Sequence, residues 1–311
     1  MMFRPNSGAY PTMITPYNKD GSVDYGAVTE LVRWYYNEGC DGIFASCQSS
    51  EIHCLDLADR VKLARVVKET SDSLAKTGRR MTIVASGHIS DSFESQVEEL
   101  RLVAGTGVDS VILITNRLDI ENTSDERWIS GLDRLIEKLP DIPLGVYECP
   151  RPYKRLLTPA MIDHVVRTGR FAFIKDTCCD PDEIRRRGAR IESTPSPALK
   201  PCLFNANAQT LLDSLRSGYA GYCGVMCNFH PALYVKLCRE YESEGAEELA
   251  DLLSQAAFIE YLTYPAIAKY HLNKIGVKME TISRACDVSR MGNYDRLCVD
   301  RMDRLCGRFG K

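Results

Sequence analysis

Two side chains capable of covalent and acid–base chemistry stand at the ends of apolar runs. Lys175 ends the run 171–175, and Tyr147 ends the run 142–147. A lysine held away from water has a lowered pKa, and its neutral amine can attack a carbonyl carbon. Alternatively, Lys175 is a strand-end lysine whose ammonium group reaches solvent and does no chemistry. If Lys175 is the reactive amine and Tyr147 acts with it, the two runs must be neighbouring strands, so that both side chains reach one site.

Those two runs belong to a repeating order of short apolar runs and helical patterns. The runs cover residues 9–15, 41–46, 81–85, 109–114, 142–147, 171–175, 199–204 and 220–226. Helical periodicity follows them, as in the apolar positions 128, 132, 135, 136 and 139. This alternation predicts parallel strands closed into a (β/α)8 TIM barrel over residues 1–230. Because the site of such a barrel lies at the carboxyl ends of its strands, Lys175 and Tyr147 would both reach it.

From residue 231 onward the sequence shows helical patterning only, which is broken at Pro265 and Gly276. Positions 249, 252, 253, 256 and 259 are apolar and share one helical face. No low-complexity stretch or long polar linker separates this part from the barrel. We therefore expect residues 231–311 to form a C-terminal helical extension packed on the barrel, and not a separate folded domain.

Composition limits the partners and the compartment. The formal net charge of −3 gives no basic field that would attract nucleic acid. The arginines within residues 185–190 form a basic helical face, which we interpret as solvated and not as a nucleic-acid contact. No run approaches the ~18 apolar residues of a membrane span, and residues 1–6 lack the apolar core of a signal peptide. The thirteen cysteines include no Cys-x-x-Cys pair, which favours reduced thiols in the cytoplasm.

Six segments carry short motifs in a particular order along the chain. They are residues 8–17, 20–24, 38–43, 147–150, 174–177 and 220–228. Together they are similar to the dihydrodipicolinate synthase and N-acetylneuraminate lyase family. The resemblance implies a class I aldolase type of lyase, in which Lys175 forms an imine with the keto group of pyruvate or another 2-keto acid. It also implies that Tyr147 is the proton shuttle and that this chemistry needs no metal and no organic cofactor.

The polar segment after the second predicted strand is similar to the loop with which this family holds the substrate carboxylate. The similarity makes Gln48, Ser49 and Ser50 candidate substrate-binding residues, with backbone donors from the serines and a hydroxyl from Ser49. The alternative is a polar loop that caps the next helix. The resemblance of residues 220–228 to the family's eighth strand adds Cys223 to the candidates.

The chain departs from the synthase pattern at two places. Gln48 replaces a small hydroxyl residue of the family's proton relay, and an amide cannot pass a proton as a hydroxyl does. Residues 114–119 lack the tyrosine that synthases send into the neighbouring subunit's site. True dihydrodipicolinate synthesis is therefore not the reaction we expect.

After the fifth predicted strand, Arg151, Lys154 and Arg155 are candidates for binding an acidic substrate; the alternative is a basic loop in solvent.

The resemblance implies small-molecule partners, namely a 2-keto acid and, for some reactions, an aldehyde. Retro-aldol cleavage of a sugar-derived acid, aldol condensation and dehydration all remain open. The resemblance also implies a homotetramer built as a dimer of dimers, whereas no nucleic-acid or membrane partner is expected. A second hypothesis is a non-catalytic protein that kept the barrel in order to bind a keto acid or sugar acid. The joint presence of Lys175 and Tyr147 speaks against it, since a binding protein does not need both.

Overall fold

The computed structural model describes residues 3–196 and 200–309, and its centre is a parallel β-barrel. The strands are β1 (Gly8–Pro11), β2 (Gly42–Phe44), β3 (Thr82–Ala85), β4 (Ser110–Ile114), β5 (Leu144–Tyr147), β6 (Phe171–Asp176), β7 (Cys202–Asn205) and β8 (Gly221–Gly224). Each strand from β2 to β8 pairs in parallel with the next, and β8 pairs with β1. Met13 N donates to the Phe44 carbonyl oxygen (3.1 Å), which joins β1 to β2. The predicted (β/α)8 TIM barrel is confirmed; residue 199, which starts the seventh predicted run, lies outside the described residues.

Helices alternate with the strands, because each apolar helical face is buried against the outside of the barrel. They are α1 (Tyr25–Asn37), α2 (Leu57–Ala75), α3 (Phe93–Ala104), α4 (Asp125–Lys138), α5 (Pro159–Thr168), α6 (Pro181–Glu192), α7 (Leu211–Arg216) and α8 (Pro231–Glu240). In α4, Ser124 caps the first turn by accepting a hydrogen bond from Arg127 N (3.2 Å). Trp128, Leu132 and Leu135 then face the core, as their spacing predicts. Within the described residues, no helix has both the length and the apolar composition needed to cross a bilayer.

The remaining helices are α9 (Ala246–Ala256), α10 (Ala266–Lys274) and α11 (Asn293–Cys306). The apolar face predicted for α9 is buried, and α10 begins directly after Pro265 and ends shortly before Gly276. The predicted boundary at residue 230 needs correction, because α8 packs against β1 and β8 as the eighth helix of the barrel. The C-terminal helical extension therefore comprises α9, α10 and α11. Residues 310 and 311, the last of the predicted extension, lie outside the described residues.

Aromatic rings fill the barrel below the strand ends. Phe173 stacks on Phe204 with ring centroids 4.3 Å apart, and Tyr10 packs edge-on against Phe204 at 4.7 Å. Gly145 permits this packing, because a Cβ there would come within 3.0 Å of the Phe173 Cβ. Phe173 lies two residues before Lys175 on the same face of β6. The aromatic layer therefore closes the barrel just below the level of Lys175.

Candidate active site

Lys175 and Tyr147 meet at the carboxyl ends of neighbouring strands. They are register partners in the pairing of β5 with β6, so both side chains leave the sheet on the same side. Lys175 Nζ lies 4.3 Å from the ring centroid of Tyr147 and 5.3 Å from that of Phe44 on β2. Lys175 is 4% exposed, and Tyr147 is equally buried. Burial raises the pKa of the Tyr147 hydroxyl well above its ordinary value, so this hydroxyl keeps its proton at neutral pH.

A cavity of about 460 Å³ opens onto this pair. The residues that were predicted from the sequence and line it are Gln48, Ser49, Tyr147, Arg151 and Lys175. Its wall also includes residues that sequence reasoning did not select, among them His53, Glu260, Tyr264 and Arg284. The volume suits a small molecule, and the lining combines aromatic surface with a few polar groups.

The 3₁₀ turn Gln48–Ser50 forms one wall of the cavity. Ser49 Oγ donates to Thr12 Oγ1 (3.0 Å), which fixes the hydroxyl beside the end of β1. Cys149 Sγ donates to Gln48 Oε1 (3.5 Å), which joins the turn to the segment after β5. The turn therefore presents an amide and a hydroxyl group to the cavity that contains Lys175.

Glu51 fastens this loop to the C-terminal extension. Its Oε2 atom accepts three hydrogen bonds, from Arg284 N (2.5 Å), Ala285 N (2.7 Å) and Ser283 Oγ (2.9 Å). Lys269 Nζ, from α10, lies 3.6 Å from the Oε1 atom. Burial lowers the pKa of Lys269 to about 8, and the charge of Glu51 opposes that shift. The extension thus sets the position of the loop that carries Gln48 and Ser49.

A buried charge cluster lies directly behind the reactive pair. Glu148 immediately follows Tyr147 in the chain. Asp176 immediately follows Lys175, so its side chain points to the opposite face of β6. Arg187 Nη1, from α6, lies 2.9 Å from Glu148 Oε1 and 3.0 Å from Asp176 Oδ2. Burial raises the pKa of Glu148 to about 7, with Arg187 opposing the shift and Asp176 adding to it. One guanidinium therefore ties together the two strand ends that carry the pair.

A sequence profile described as "Dihydrodipicolinate synthetase family" matches residues 5–288. The chain belongs to this family. Among curated relatives, the 4-hydroxy-tetrahydrodipicolinate synthase of Bartonella bacilliformis is 26% identical over 282 residues. That alignment covers 88% of this chain and 90% of the relative, so the similarity runs through most of both chains.

Solved structures of family members superpose over almost the whole chain. YagE from E. coli K12, solved in complex with pyruvate, has a TM-score of 0.81 at 18% identity, covering 97% of this chain and 98% of YagE. CdNal from Clostridium difficile, solved in complex with mannosamine, has a TM-score of 0.82 at 13% identity, covering 96% of this chain and 98% of CdNal. At these identities the likeness concerns the fold. Family membership supports an enzyme of the lyase and synthase kind without fixing the reaction.

Ser50 and Cys223 were predicted as substrate-binding residues, but neither lines the cavity of this family member. Ser50 Oγ donates to the Met13 carbonyl oxygen (2.7 Å) and accepts a hydrogen bond from Cys47 N (3.1 Å), so Ser50 braces the loop against the barrel. Cys223 is fully buried in β8 among the side chains of the barrel interior. The backbone donor predicted for Ser50 is also engaged within the turn, because Ser50 N donates to the Cys47 carbonyl oxygen (3.1 Å). Residue type alone did not place these two side chains, because a hydroxyl or thiol near a strand end can face either the mouth or the interior.

The three basic residues after β5 differ in whether they line the cavity. Of the three, Arg151 lines the cavity. Lys154 Nζ instead donates to the Thr177 carbonyl oxygen, and Arg155 Nη1 lies 3.2 Å from the buried carboxylate of Asp119. Neither Lys154 nor Arg155 is part of the cavity wall, so Arg151 is the candidate that remains for an acidic group of the substrate.

The predicted solvated arginine face on α6 is wrong at one position. Arg185 and Arg186 are exposed and pair with carboxylates of their own helix, Asp182 and Glu183. Arg187 is 2% exposed and belongs to the charge cluster described above. Periodicity could have indicated this, because residues 184, 187, 188 and 191 form the buried face of α6.

Residues 114–119 make contacts within this chain. At this place the family's synthases carry a tyrosine that reaches a neighbouring subunit. Asn116 Nδ2 donates to the Arg151 carbonyl oxygen (2.9 Å) and so supports the loop that holds Arg151. Arg117 Nη1 pairs with Asp91 Oδ1 (2.8 Å). This segment therefore contributes polar contacts within the subunit.

Several of the cavity residues that sequence reasoning missed come from the extension. Glu260 and Tyr264 lie between α9 and α10, and Arg284 lies between α10 and α11. Burial raises the pKa of Glu260 to about 7. Helical periodicity carries no signal for such connecting segments, because it does not indicate which of them folds over the barrel mouth.

Proposed function

We propose that this protein is a Schiff-base-forming lyase of the aldolase type that acts on pyruvate or another 2-keto acid. The observation that carries the proposal is the buried Lys175 amine, 4.3 Å from the Tyr147 ring centroid at the carboxyl ends of the strands. The neutral amine attacks the keto carbon, the keto oxygen leaves as water, and a protonated imine remains on Nζ. The imine withdraws electrons, so a carbon–carbon or carbon–oxygen bond beyond the neighbouring carbon can break or form.

In this proposal Tyr147 is the proton shuttle. Its hydroxyl keeps its proton at neutral pH and can pass it to the departing oxygen, then recover a proton for the bond-breaking step. Gln48 and Ser49 receive the carboxylate of the keto acid. Arg151 binds an acidic or strongly polar group at the far end of the substrate.

We further propose that the substrate is larger and more polar than pyruvate alone, such as a sugar-derived 2-keto acid. Arg151 and Glu260 line the same cavity, and together they can bind several hydroxyl groups. The amide of Gln48 and the absence of a tyrosine in residues 114–119 argue against dihydrodipicolinate synthesis. Robust turnover of pyruvate with aspartate semialdehyde would contradict this choice. Retro-aldol cleavage, aldol condensation and dehydration are then distinguished by product analysis.

Borohydride trapping tests the imine. The protein is incubated with pyruvate, and separately with longer 2-keto acids, then reduced and examined by intact mass and peptide mapping. A stable adduct on Lys175 is expected, and Lys175→Arg should abolish it while keeping the positive charge. Lys236→Arg, at an exposed position on α8, is the matched control and should leave trapping unchanged. Adducts on other lysines, or none with any keto acid, would overturn the proposal.

The alternative, a non-catalytic binding protein, is motivated by the changed relay at Gln48. It would bind a keto acid or sugar acid with no adduct after reduction, so the trapping experiment combined with calorimetric binding separates the two functions.

We also propose the family-type homotetramer, which sedimentation would contradict by giving a mass near 34.9 kDa. All thirteen cysteines are free thiols, which fits the reducing cytoplasm that we propose as its compartment.

A further inference from the structure

Three side chains that can bind a metal converge where the extension meets the barrel. His230 directly precedes α8, His271 lies in α10 and Asp303 lies in α11. We propose that they form a structural site for a divalent transition-metal ion, with Zn²⁺ as the preferred ion. This site is separate from the proposed imine chemistry, which uses neither the three residues nor a metal.

The spacing of the three candidate ligand atoms suits a small ion. Asp303 Oδ1 lies 2.9 Å from His271 Nδ1 and 3.7 Å from His230 Nε2, and all three ligand atoms lie within 4.8 Å of one another. Tetrahedral ligands placed 2.0–2.1 Å from zinc are about 3.3 Å apart. These two separations lie on either side of that value, and the third is at most 4.8 Å, so side-chain rotations that bring the two imidazoles together would enclose an ion.

The candidate ligand atoms of this cluster make no hydrogen bond in the described structure. His230 Nε2, both ring nitrogens of His271 and Asp303 Oδ1 lack a hydrogen-bond partner there. His271 is 2% exposed, and buried polar groups are normally paired. Although His271 Nδ1 and Asp303 Oδ1 are close, they are not aligned for a hydrogen bond. A single cation would satisfy one atom of each residue at once.

The surroundings also fit a metal site. Lys274 Nζ donates to Asp303 Oδ2 (3.1 Å), which orients the carboxylate and leaves Oδ1 for the ion. The positive charge of the Lys274 ammonium repels a bound cation, but this ammonium also pairs with the Asp300 carboxylate, which weakens the repulsion. The Phe229 ring packs on His271 with centroids 5.4 Å apart and gives the site an apolar wall.

The donor set selects the class of metal. Two imidazoles and one carboxylate suit Zn²⁺ or Co²⁺, whereas Ca²⁺ and Mg²⁺ prefer oxygen ligands only. With three protein ligands, water would fill the fourth position. Because the ligands come from three separate segments, binding would fasten α11 to α10 and to the start of α8, and would stabilise the extension against unfolding.

The experiment uses the full chain, stripped of metal with a chelator and then titrated with ZnCl₂. We expect one equivalent of zinc to survive dialysis and the midpoint of thermal unfolding to rise with zinc concentration. His271→Asn and Asp303→Asn should each remove that equivalent and the zinc-dependent rise. If either variant does not fold, His230→Gln serves in its place, since the His230 side chain is partly exposed.

Binding of zinc to cysteines is the main competing outcome. The barrel interior holds several thiols, including Cys47, Cys149 and Cys223. The absorption spectrum with CoCl₂ separates the two cases, because thiolate ligands add strong near-ultraviolet charge-transfer bands and imidazole and carboxylate ligands do not. Thiolate bands, equal zinc retention in the wild type and the variants, or an unchanged unfolding midpoint would each overturn the proposal.

Discussion

At the residue scale, the proposed chemistry depends on the Tyr147 hydroxyl and the Lys175 amine. Replacing Tyr147 by Phe keeps the ring beside Lys175 and removes only the proton donor. Loss of general acid–base catalysis lowers turnover by about 10²–10⁴-fold. We expect Tyr147→Phe to lose turnover in this range with any substrate that the protein accepts, while borohydride still traps an adduct on Lys175. Tyr294→Phe, at an exposed position, should be neutral; equal turnover in both variants would exclude Tyr147 as the proton shuttle.

The buried cluster behind the pair makes a second prediction at this scale. Arg187→Met leaves Glu148 and Asp176 buried without their cation, which costs about 3–5 kcal/mol in the free energy of unfolding. Arg186→Met is the matched control, because Arg186 is exposed on the same helix and its pair with Glu183 contributes about 0–1 kcal/mol. Urea denaturation of both variants measures the difference. Similar midpoints would show that the cluster does not hold the strand ends together.

Sequence reasoning predicted where Lys175 and Tyr147 lie but not the residues that support them. Their position at neighbouring strand ends could be predicted because each ends an apolar run, and the register of β5 with β6 brings them together. Their catalytic roles stay a prediction. Ser50 and Arg155 could not be assigned, since the same polar residue types serve as substrate contacts at a mouth and as braces within a loop. Which role applies depends on the direction of the side chain, and residue type does not encode that direction.

At the element scale, the strands were predictable and the boundary between barrel and extension was not. Short apolar runs bounded by helical patterns gave every strand, because buried parallel strands read as continuous apolar sequence. The division at residue 230 was wrong because α8 has the same helical pattern as the helices after it. Only the contact of α8 with β1 distinguishes a barrel helix from an added one.

At this scale the prediction concerns Glu51, which joins the loop at residues 48–50 to the extension. Glu51→Gln keeps an acceptor for the backbone donors near residue 284 but removes the charge opposite buried Lys269. Loss of one partner of a buried ion pair costs about 3–5 kcal/mol. We expect a lower free energy of unfolding and a higher KM for the keto acid, with a smaller change in kcat. Glu244→Gln, in an exposed turn, should change neither quantity; an unchanged KM in Glu51→Gln would contradict the positioning role.

At the scale of the whole molecule, the barrel supplies the candidate catalytic residues and the extension supplies part of the cavity wall. Lys175 and Tyr147 stand on strands, whereas Glu260, Tyr264 and Arg284 come from segments between the later helices. A cavity assembled in this way can change its substrate preference through the extension while the chemistry on the strands stays the same. Differences among family members would then concentrate in those segments.

Glu260 makes this division measurable, because its titration reports whether its carboxyl stays buried where the extension lines the cavity. Burial raises its pKa to about 7, so the folded state holds the proton more tightly than the unfolded state, whose pKa is about 4.3. The free energy of unfolding attributable to Glu260 therefore falls as the pH rises from about 4.3 to 7. Glu260→Gln removes this dependence, and its stability relative to wild type should rise by roughly 2 kcal/mol between pH 5 and pH 8. Denaturation at both pH values measures the change, with Glu244→Gln as the exposed control. If the difference in free energy of unfolding between Glu260→Gln and wild type does not change with pH, the Glu260 carboxyl is exposed to water in the folded protein and the extension does not cover it.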